Sequence, residues 1–331
     1  LGYALGSIDS EAGVDAAMRS EKWALVYWDD QFLLYLRRSP EFEDIIRRDE
    51  YRYVRPANGV GHIKKLILYR GKSEEVIEEL KRNITETGSD TARLLLGSAY
   101  NILERFSDAC RVFSEVDEEN ILIDRTILWN GLAHCLSNLG KVTEAIQYYK
   151  RSYAEIPFAS IPYRIGLLYL SLGSTEEAIK YLERSLKESP SFISVYPILI
   201  DLYKRAGLLR EASELSNRYS LLLKENQAEE HFKKGLKYYL RRQYPEALQA
   251  FQQALKINPY NPSSLINTGY IYLDTGDPER ALEYFQRAVE LSPDRSEPYY
   301  GMGLAYKFLG LRQKAIESFS TYIRLEPKGY Y

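Results

Sequence analysis

Three glycines, Gly235, Gly269 and Gly303, stand 34 residues apart, and each is followed by the same side chains at the same distances. Three residues on comes Tyr238, Tyr272 or Tyr306, and twelve on comes Ala247, Ala281 or Ala315. Sixteen on comes Phe251, Phe285 or Phe319, and twenty-four on Pro259, Pro293 or Pro327. A period of this length restricts the chain to a stack of like units, each too small to bury its own apolar face.

The register continues upstream with more substitutions. Gly166 leads to Tyr169, Ala178, Leu182, Ser185 and Pro190, and Ala133 to Leu136, Ala145, Tyr149, Ser152 and Pro157. Gly97 leads to Tyr100, Ala109, Phe113 and Val116. Ile200, with Tyr203 and Ala212, opens a weaker unit, and an eighth from about Ala57 keeps only Gly71, Val76 and Leu80.

The spacing predicts a helical hairpin per unit. The small residue and the Tyr three later share a face of a first helix, and the Ala and aromatic four apart share a face of a second. Gly140, Gly173, Gly207, Gly276 and Gly310 are expected to close the first helices in the left-handed conformation. The prolines end the second helices, because proline cannot continue the hydrogen-bond ladder.

Over roughly residues 90 to 327 this pattern resembles the tetratricopeptide repeat, through Gly, Tyr, Ala, Phe and Pro in register over three consecutive copies. The resemblance implies a mainly α fold: a right-handed superhelix of about seven to eight helix hairpins over residues 57–331, with a concave groove of first helices that binds peptides or proteins. It implies a non-enzymatic scaffold with no cofactor and no metal. On the first helices, Tyr163 and Leu167, Phe232, Leu236 and Tyr239, Tyr270, and Tyr300 and Leu304 are expected to face that groove. Such rings anchor an apolar peptide or pack half-exposed between neighbouring helices; the sequence leaves both readings open. Family members that grip a peptide's terminal carboxylate use Lys, Asn and Arg on successive first helices. Here the corresponding places hold Phe232, Leu236, Ile266, Tyr270, Tyr300 and Leu304, with Asn267 and Arg164 as isolated polar groups, which disfavours that mode.

Residues 1–56 read differently, as a small α/β module. Gly13 to Ser20 reads as a short helix, and Trp23 to Trp28 and Phe32 to Leu36 as two strands of a hairpin with Asp29, Asp30 and Gln31 between them. A helix restarts after Ser39 as its cap and Pro40 at its first position. Paired carboxylates after a strand suit a divalent cation, but the 22 residues before Trp23 are too few for a nucleotide-binding fold. The run WALVYWDDQFLLYLRR, with EYRYVRP and helical repeats after it, resembles the soluble C-terminal region of bacterial membrane proteins of the glycosyltransferase type. That likeness implies, as an alternative, an accessory domain that positions an acceptor for chemistry done elsewhere.

Lys plus Arg number 44 against 46 Asp plus Glu, so no basic field marks a nucleic-acid partner. No apolar run is long enough to span a bilayer. Because the chain begins with Leu1, it is expected to be the soluble part of a larger membrane-associated protein, extracytoplasmic and tethered through a segment outside residues 1–331. Cys110 and Cys135 read as buried free thiols. His62, His134 and His231 are scattered and read as satisfied or solvated side chains, and the N-I-T triplet at Asn83 is a formal glycosylation acceptor of little weight. At the far end Ile316 and Ile323 are expected to face the place of a further repeat, which makes self-assembly a second alternative.

Overall fold

The computed structural model describes residues 3–7, 22–56, 59–120 and 124–326. They form two compact units that divide after Val195.

The first unit opens with three antiparallel strands, β1 (Tyr3–Ser7), β2 (Trp23–Trp28) and β3 (Phe32–Arg37), in the order β1-β3-β2. The β2–β3 hairpin is the expected one; β1 is an addition that its short YALGS sequence does not announce. An irregularity between Leu25 and Tyr27 shifts the side-chain alternation. Leu25 and Trp28, three apart, therefore join Leu33 and Tyr35 in the core of the following helices. Ala24, Val26 and Leu36 cover the opposite face against Ile46 of α1 (Glu43–Asp49). Pro40–Phe42 forms a 3-10 turn before α1; Ser39 occupies the cap position with extended backbone, but its hydroxyl makes no capping bond. The short helix expected at Gly13 to Ser20 lies outside the described residues.

The two adjacent aspartates do different work. Asp29 closes the hairpin: its Oδ1 accepts the backbone N–H groups of Gln31 at 2.8 Å and Phe32 at 2.7 Å, and its Oδ2 accepts the Tyr27 hydroxyl at 2.7 Å. That carboxylate pushes the Tyr27 phenol up to about 12. Asp30 reaches the start of the helix at Asp90–Ile102, accepting the Ser89 hydroxyl at 2.6 Å and the N–H groups of Asp90 and Thr91 at 3.0 Å each. Helix N-termini leave such donors unpaired and carry partial positive charge, so a carboxylate there is stabilised. Burial works to raise the Asp30 pKa, but the bonds from Ser89, Asp90 and Thr91 outweigh it and hold the carboxyl below its usual range. Asn83, fully buried, donates its amide to the Trp28 carbonyl at 2.7 Å. The glycosylation triplet is thus a fold contact.

The helices then pair. α2 (Gly59–Arg70) and α3 (Ser73–Thr87), α4 (Asp90–Ile102) and α5 (Phe106–Ser114), α6 (Arg125–Asn138) and α7 (Val142–Glu155), and α8 (Ser160–Ser171) and α9 (Thr175–Glu188) are hairpins of the first unit. Val76 and Leu80 of the most worn copy are fully buried. α10 (Val195–Arg205) follows. The second unit continues with α11 (Leu209–Leu240), α12 (Tyr244–Ile257), α13 (Pro262–Asp274), α14 (Pro278–Leu291), α15 (Glu297–Phe308) and α16 (Arg312–Leu325).

The ring in the second helix is the centre of each contact. Phe113 is buried between two first helices: a methyl on Gly97 would lie 2.7 Å from it, and one on Gly131 of the next unit 2.4 Å. Phe285 sits the same way between Gly269 and Gly301, at 2.7 and 2.4 Å. The five predicted turn glycines all have φ between +72° and +83°. At Gly140 the bond from Lys141 N to Leu136 O, 2.9 Å, completes a Schellman turn. The same turn is made at Glu104 and Arg242, both with φ +58°, although neither is glycine.

One difference from expectation is large. The helices ahead of Pro157, Pro190, Pro259 and Pro293 end at Glu155, Glu188, Ile257 and Leu291, as the restriction on the residue before proline requires. Twenty-four residues after Ile200 stands Lys224 instead. With nothing to stop it, the second helix of that unit runs into the first helix of the next, giving the 32 residues of α11. Among the described residues no helix is long and apolar enough to cross a membrane.

Candidate functional site

In the first unit the inner faces of α2, α4, α6 and α8 enclose an open cavity of about 700 Å³. Its apolar walls include Leu68 and Phe158, which are 52% and 56% exposed, with Ile102 and Ile127 between them. Lys64, Asn101, Asn130, His134 and Arg164 bring polar groups to the same space. The amide of Asn101 donates to the Gly131 carbonyl at 2.9 Å, which ties α4 to α6 and turns the side chain into the cavity wall. Asn101 Oδ1 and His134 Nδ1 find no hydrogen-bond partner among the described residues.

Burial sets the electrostatics here first, and the Arg164 cation second. Burial lowers the pKa of His134, and the Arg164 cation lowers it further, so the imidazole is neutral at pH 7. Burial raises the phenol of Tyr149, with Arg164 beside it pulling the other way. Neither Lys64 nor Arg164 forms an ion pair with a described carboxylate. Asp124, the acidic group of the lining, already accepts Thr126 N and Oγ1 at 2.9 and 2.6 Å as the cap of α6. Arg164, read from sequence as an isolated polar group, thus shares a cavity with other polar side chains. Asn267, the other one, donates to Ser263 O at 2.8 Å within its own helix.

The residues expected to line the groove are placed on first helices and are partly exposed. Tyr163 packs edge-on against Phe192 at 5.1 Å, and Leu167 is 36% exposed. In the second unit Phe232 tilts against Phe251 at 5.6 Å, Tyr270 meets Phe285 edge-on at 5.1 Å, and Tyr300 lies 5.8 Å from Phe319 and 5.2 Å from Tyr322. The Tyr239 hydroxyl donates to Asp274 at 2.9 Å, and the Tyr270 hydroxyl to the Glu297 carbonyl at 3.0 Å. Burial raises both phenols well above the usual range, Asp274 adding to it at Tyr239 and the charges around Tyr270 at the other. Leu236, like Phe232 and Tyr239, packs against the buried cluster of Ala247, Phe251 and Ile271, and Leu304, like Tyr270, against the cluster around Phe285. These rings join core packing to surface contact.

Cys110 and Cys135 correct the sequence reading: they form a disulfide between α5 and α6, with Cα atoms 5.7 Å apart. Each lies on the face where the second helix of one unit meets the first helix of the next, a proximity that only stacking creates. Among the described residues no three His, Cys, Asp or Glu side chains come together as a metal site would need.

Family models described as tetratricopeptide repeat match residues 232–296, and residues 127–157, 159–192 and 296–328. Those residues carry tetratricopeptide repeats. Solved structures share the repeat: the MamA protein is 19% identical over 62% of this chain and 93% of its own, with a TM-score of 0.26. The second tetratricopeptide domain of Spaghetti (RPAP3), bound to the HSP90 peptide SRMEEVD, is 24% identical over 31% of this chain and 94% of its own, at 0.30. The Cut9–Hcn1 hetero-tetramer of APC/C is 18% identical, covering 80% of this chain and 51% of that one, at 0.39. No curated protein sequence matches the chain significantly.

The polar cavity escaped the sequence reading, although a signal for it was present. Counting from the small residue of each tetratricopeptide unit, Asn130 stands three before Ala133, His134 one after it, and Arg164 two before Gly166. Those are inner-face positions of worn copies, whereas the apolar stripe drew attention to the three regular ones.

Proposed function

We propose that the protein is a non-enzymatic interaction scaffold that holds an extended segment of a partner protein on the inner faces of its first helices. The observation that carries this is the open cavity of about 700 Å³ in the first unit, where exposed Leu68 and Phe158 stand beside convergent polar groups. Ligand sites have that make-up: apolar walls for affinity and a few placed polar groups for orientation. In the second unit, the exposed edges of Phe232, Leu236, Tyr239, Tyr270, Tyr300 and Leu304 form a further contact face, with Tyr163 and Leu167 belonging to the first.

This reading is favoured over an accessory domain of a membrane glycosyltransferase. The hairpin that suggests the latter uses Asp29 for its own turn and Asp30 to cap α4. The Cys110–Cys135 disulfide supports an oxidising, extracytoplasmic setting, where such bonds persist. Exposed Ile316 and Ile323, at 49% and 63%, favour self-association as a second activity, which sedimentation over a wide concentration range reads directly.

The test is selection of a randomised peptide library on the intact chain, followed by photo-crosslinking of a selected peptide and mass-spectrometric mapping. Crosslinks are expected on Asn130, Leu68 and Tyr270. Crosslinks confined to second helices, for instance at Lys187 or Glu283, or no selected peptide at all, overturn the proposal.

A further inference from the structure

A second cavity, of about 520 Å³, opens between α7 and α9, two consecutive second helices. It lies where one copy lacks an ion pair that the copy before it keeps. Arg151, eighteen residues after Ala133, pairs at 3.3 Å with Glu118, twenty-one after Gly97. Arg184 is likewise eighteen after Gly166, but the place of its carboxylate, twenty-one after Ala133, holds Ala154. Ala154 lines the cavity together with Arg184 and Lys150. Neither of these cations comes within ion-pair distance of a described carboxylate, whereas Arg151 and Lys180 on the same two helices do.

Tyrosines hold both cations in place without neutralising them. Arg184 Nε donates to the Tyr153 hydroxyl at 2.8 Å, and its guanidinium lies 4.5 Å over that ring. Tyr153, buried, donates in turn to Glu188 at 2.7 Å. In the copies that begin at Gly166, Gly235, Gly269 and Gly303 the place of Tyr153 is aliphatic: Leu186, Leu255, Val289 and Ile323. Lys150, one turn before Tyr153, donates to the Tyr169 hydroxyl at 2.9 Å and lies over the rings of Tyr169 and Tyr181 at 5.5 and 5.7 Å. That hydrogen bond outweighs burial and keeps the ammonium pKa above its usual value. The Arg184 Nη groups donate to no described residue, and Lys150 uses at most two of its three N–H donors on Tyr169 and Tyr181. The two charges are close, since Lys150 lies over Tyr181 and Arg184 stands three residues after Tyr181. Residues three apart on a helix are about 5–6 Å from each other, so one oxyanion accepting bonds of about 2.9 Å on either side reaches both.

Two cations and the single carboxylate of Glu188 line the cavity, so its net field is positive and its attraction grows with the charge of the ligand. A carboxylate brings one charge; a phosphate monoester brings about 1.5 to 2 and three acceptor oxygens. We infer that this cavity is a binding site for a phosphate monoester. The Arg184 fork and the Lys150 ammonium take the phosphoryl oxygens, the first as a bidentate donor and the second as a point charge. Ala154 supplies the room that Glu118 fills one copy earlier, and with Pro157 it leaves apolar wall for the carbon part of the ester. The site lies on second helices, and it stands or falls independently of the peptide face.

The experiment is calorimetric titration of the intact chain, at physiological salt, with inorganic phosphate, glycerol 3-phosphate and acetate, and co-sedimentation with phosphatidylcholine vesicles with and without phosphatidic acid. Four proteins are compared: wild type, Arg184→Gln, Ala154→Glu and, as a control on the same helix outside the cavity, Lys187→Gln. Ala154→Glu places a carboxylate where Glu118 stands for Arg151; both Ala154 and Arg184 are exposed, so circular dichroism and melting temperature should stay those of wild type. Wild type should bind glycerol 3-phosphate in preference to acetate. Arg184→Gln and Ala154→Glu should each weaken that binding about tenfold, and Lys187→Gln should leave it unchanged. Vesicle binding that requires phosphatidic acid and is lost in Ala154→Glu supports the site with a lipid headgroup as the source of the phosphate; binding of the soluble ester without vesicle binding supports it with a free phosphate ester. No binding of any phosphate probe, acetate bound as well as the ester, or phosphate binding that Ala154→Glu and Arg184→Gln leave intact overturns the inference and reduces the cavity to adventitious surface charge.

Discussion

Gly131→Ala is the sharpest perturbation of the stack. By helix propensity alone the change should help, since alanine inside a helix is favoured over glycine by about 1 kcal/mol. But the new methyl would lie 2.4 Å from Phe113 Cζ, and the ring cannot retreat, because Gly97 bounds its other side at a methyl distance of 2.7 Å. Phe113 is buried, and overpacking a filled core costs about 1–3 kcal/mol. An approach of 2.4 Å puts the cost in the upper part of that range, so the net expectation is a loss of roughly 1–2 kcal/mol, or about 2–8 °C in the melting temperature of a unit this size. Urea unfolding followed at 222 nm, with and without Phe113→Leu, measures it. In the Phe113→Leu background there is room for the methyl, so Gly131→Ala should become neutral or stabilising, with a coupling energy of about 1 kcal/mol or more. A Gly131→Ala protein as stable as wild type, or strict additivity of the two changes, would refute the reasoning.

Other outcomes follow from the same structure. Asp30→Asn should destabilise by about 1–2 kcal/mol at pH 7. The folded pKa of Asp30 is depressed, so its contribution is full above the usual carboxyl value of 3.8 and fades as pH falls through the lower folded value; urea melts of the two proteins should converge only in that acidic range. Arg242→Gly should stabilise by about 0.5–1 kcal/mol, because it relieves a left-handed non-glycine residue at a Schellman turn, and the reverse change, Gly276→Arg, should destabilise; thermal melts of both decide it. Reduction of Cys110–Cys135, 25 residues apart, should cost about 3 kcal/mol through loop entropy. The unreduced protein should show no reactive thiol in an Ellman titration, and a full equivalent of two free thiols without reductant would contradict the bond.

The repeat was legible because its determinants are local and recur in register. A small residue, an alanine and a ring at fixed offsets specify two helices and their contact whatever the rest of the unit holds. What was hidden depends on neighbours or on absence. α11 is continuous where Lys224 replaces the proline that five other copies carry, and a missing stop is harder to see than a stop. Glu104 and Arg242 adopt the turn that glycine marks elsewhere, since the hydrogen bonds on either side impose it. Asp30 finds its partners 59 to 61 residues away, and the cysteines meet only across stacked helices. Of the candidate site, the tyrosine stripe was readable as periodicity. The cationic cavity was not, because Lys64 and Arg164 lie on different copies and become neighbours of one space only through the fold.

The ring held between two glycines carries a consequence for the order of the units. Phe113 is compatible with its successor because that copy begins with Gly131, and Phe285 because the next offers Gly301. At the matching junction after Tyr149 the facing residue is Arg164, beside the phenol. Exchanging those successors would drive a guanidinium into the Phe113 pocket and leave Tyr149 facing a void. The copies are therefore not interchangeable parts: each junction works as a two-residue address. Duplication or recombination within such a chain would survive only where the cut preserves the pairs, which leaves the successors of Phe113 and Phe285 exchangeable with each other but not with that of Tyr149.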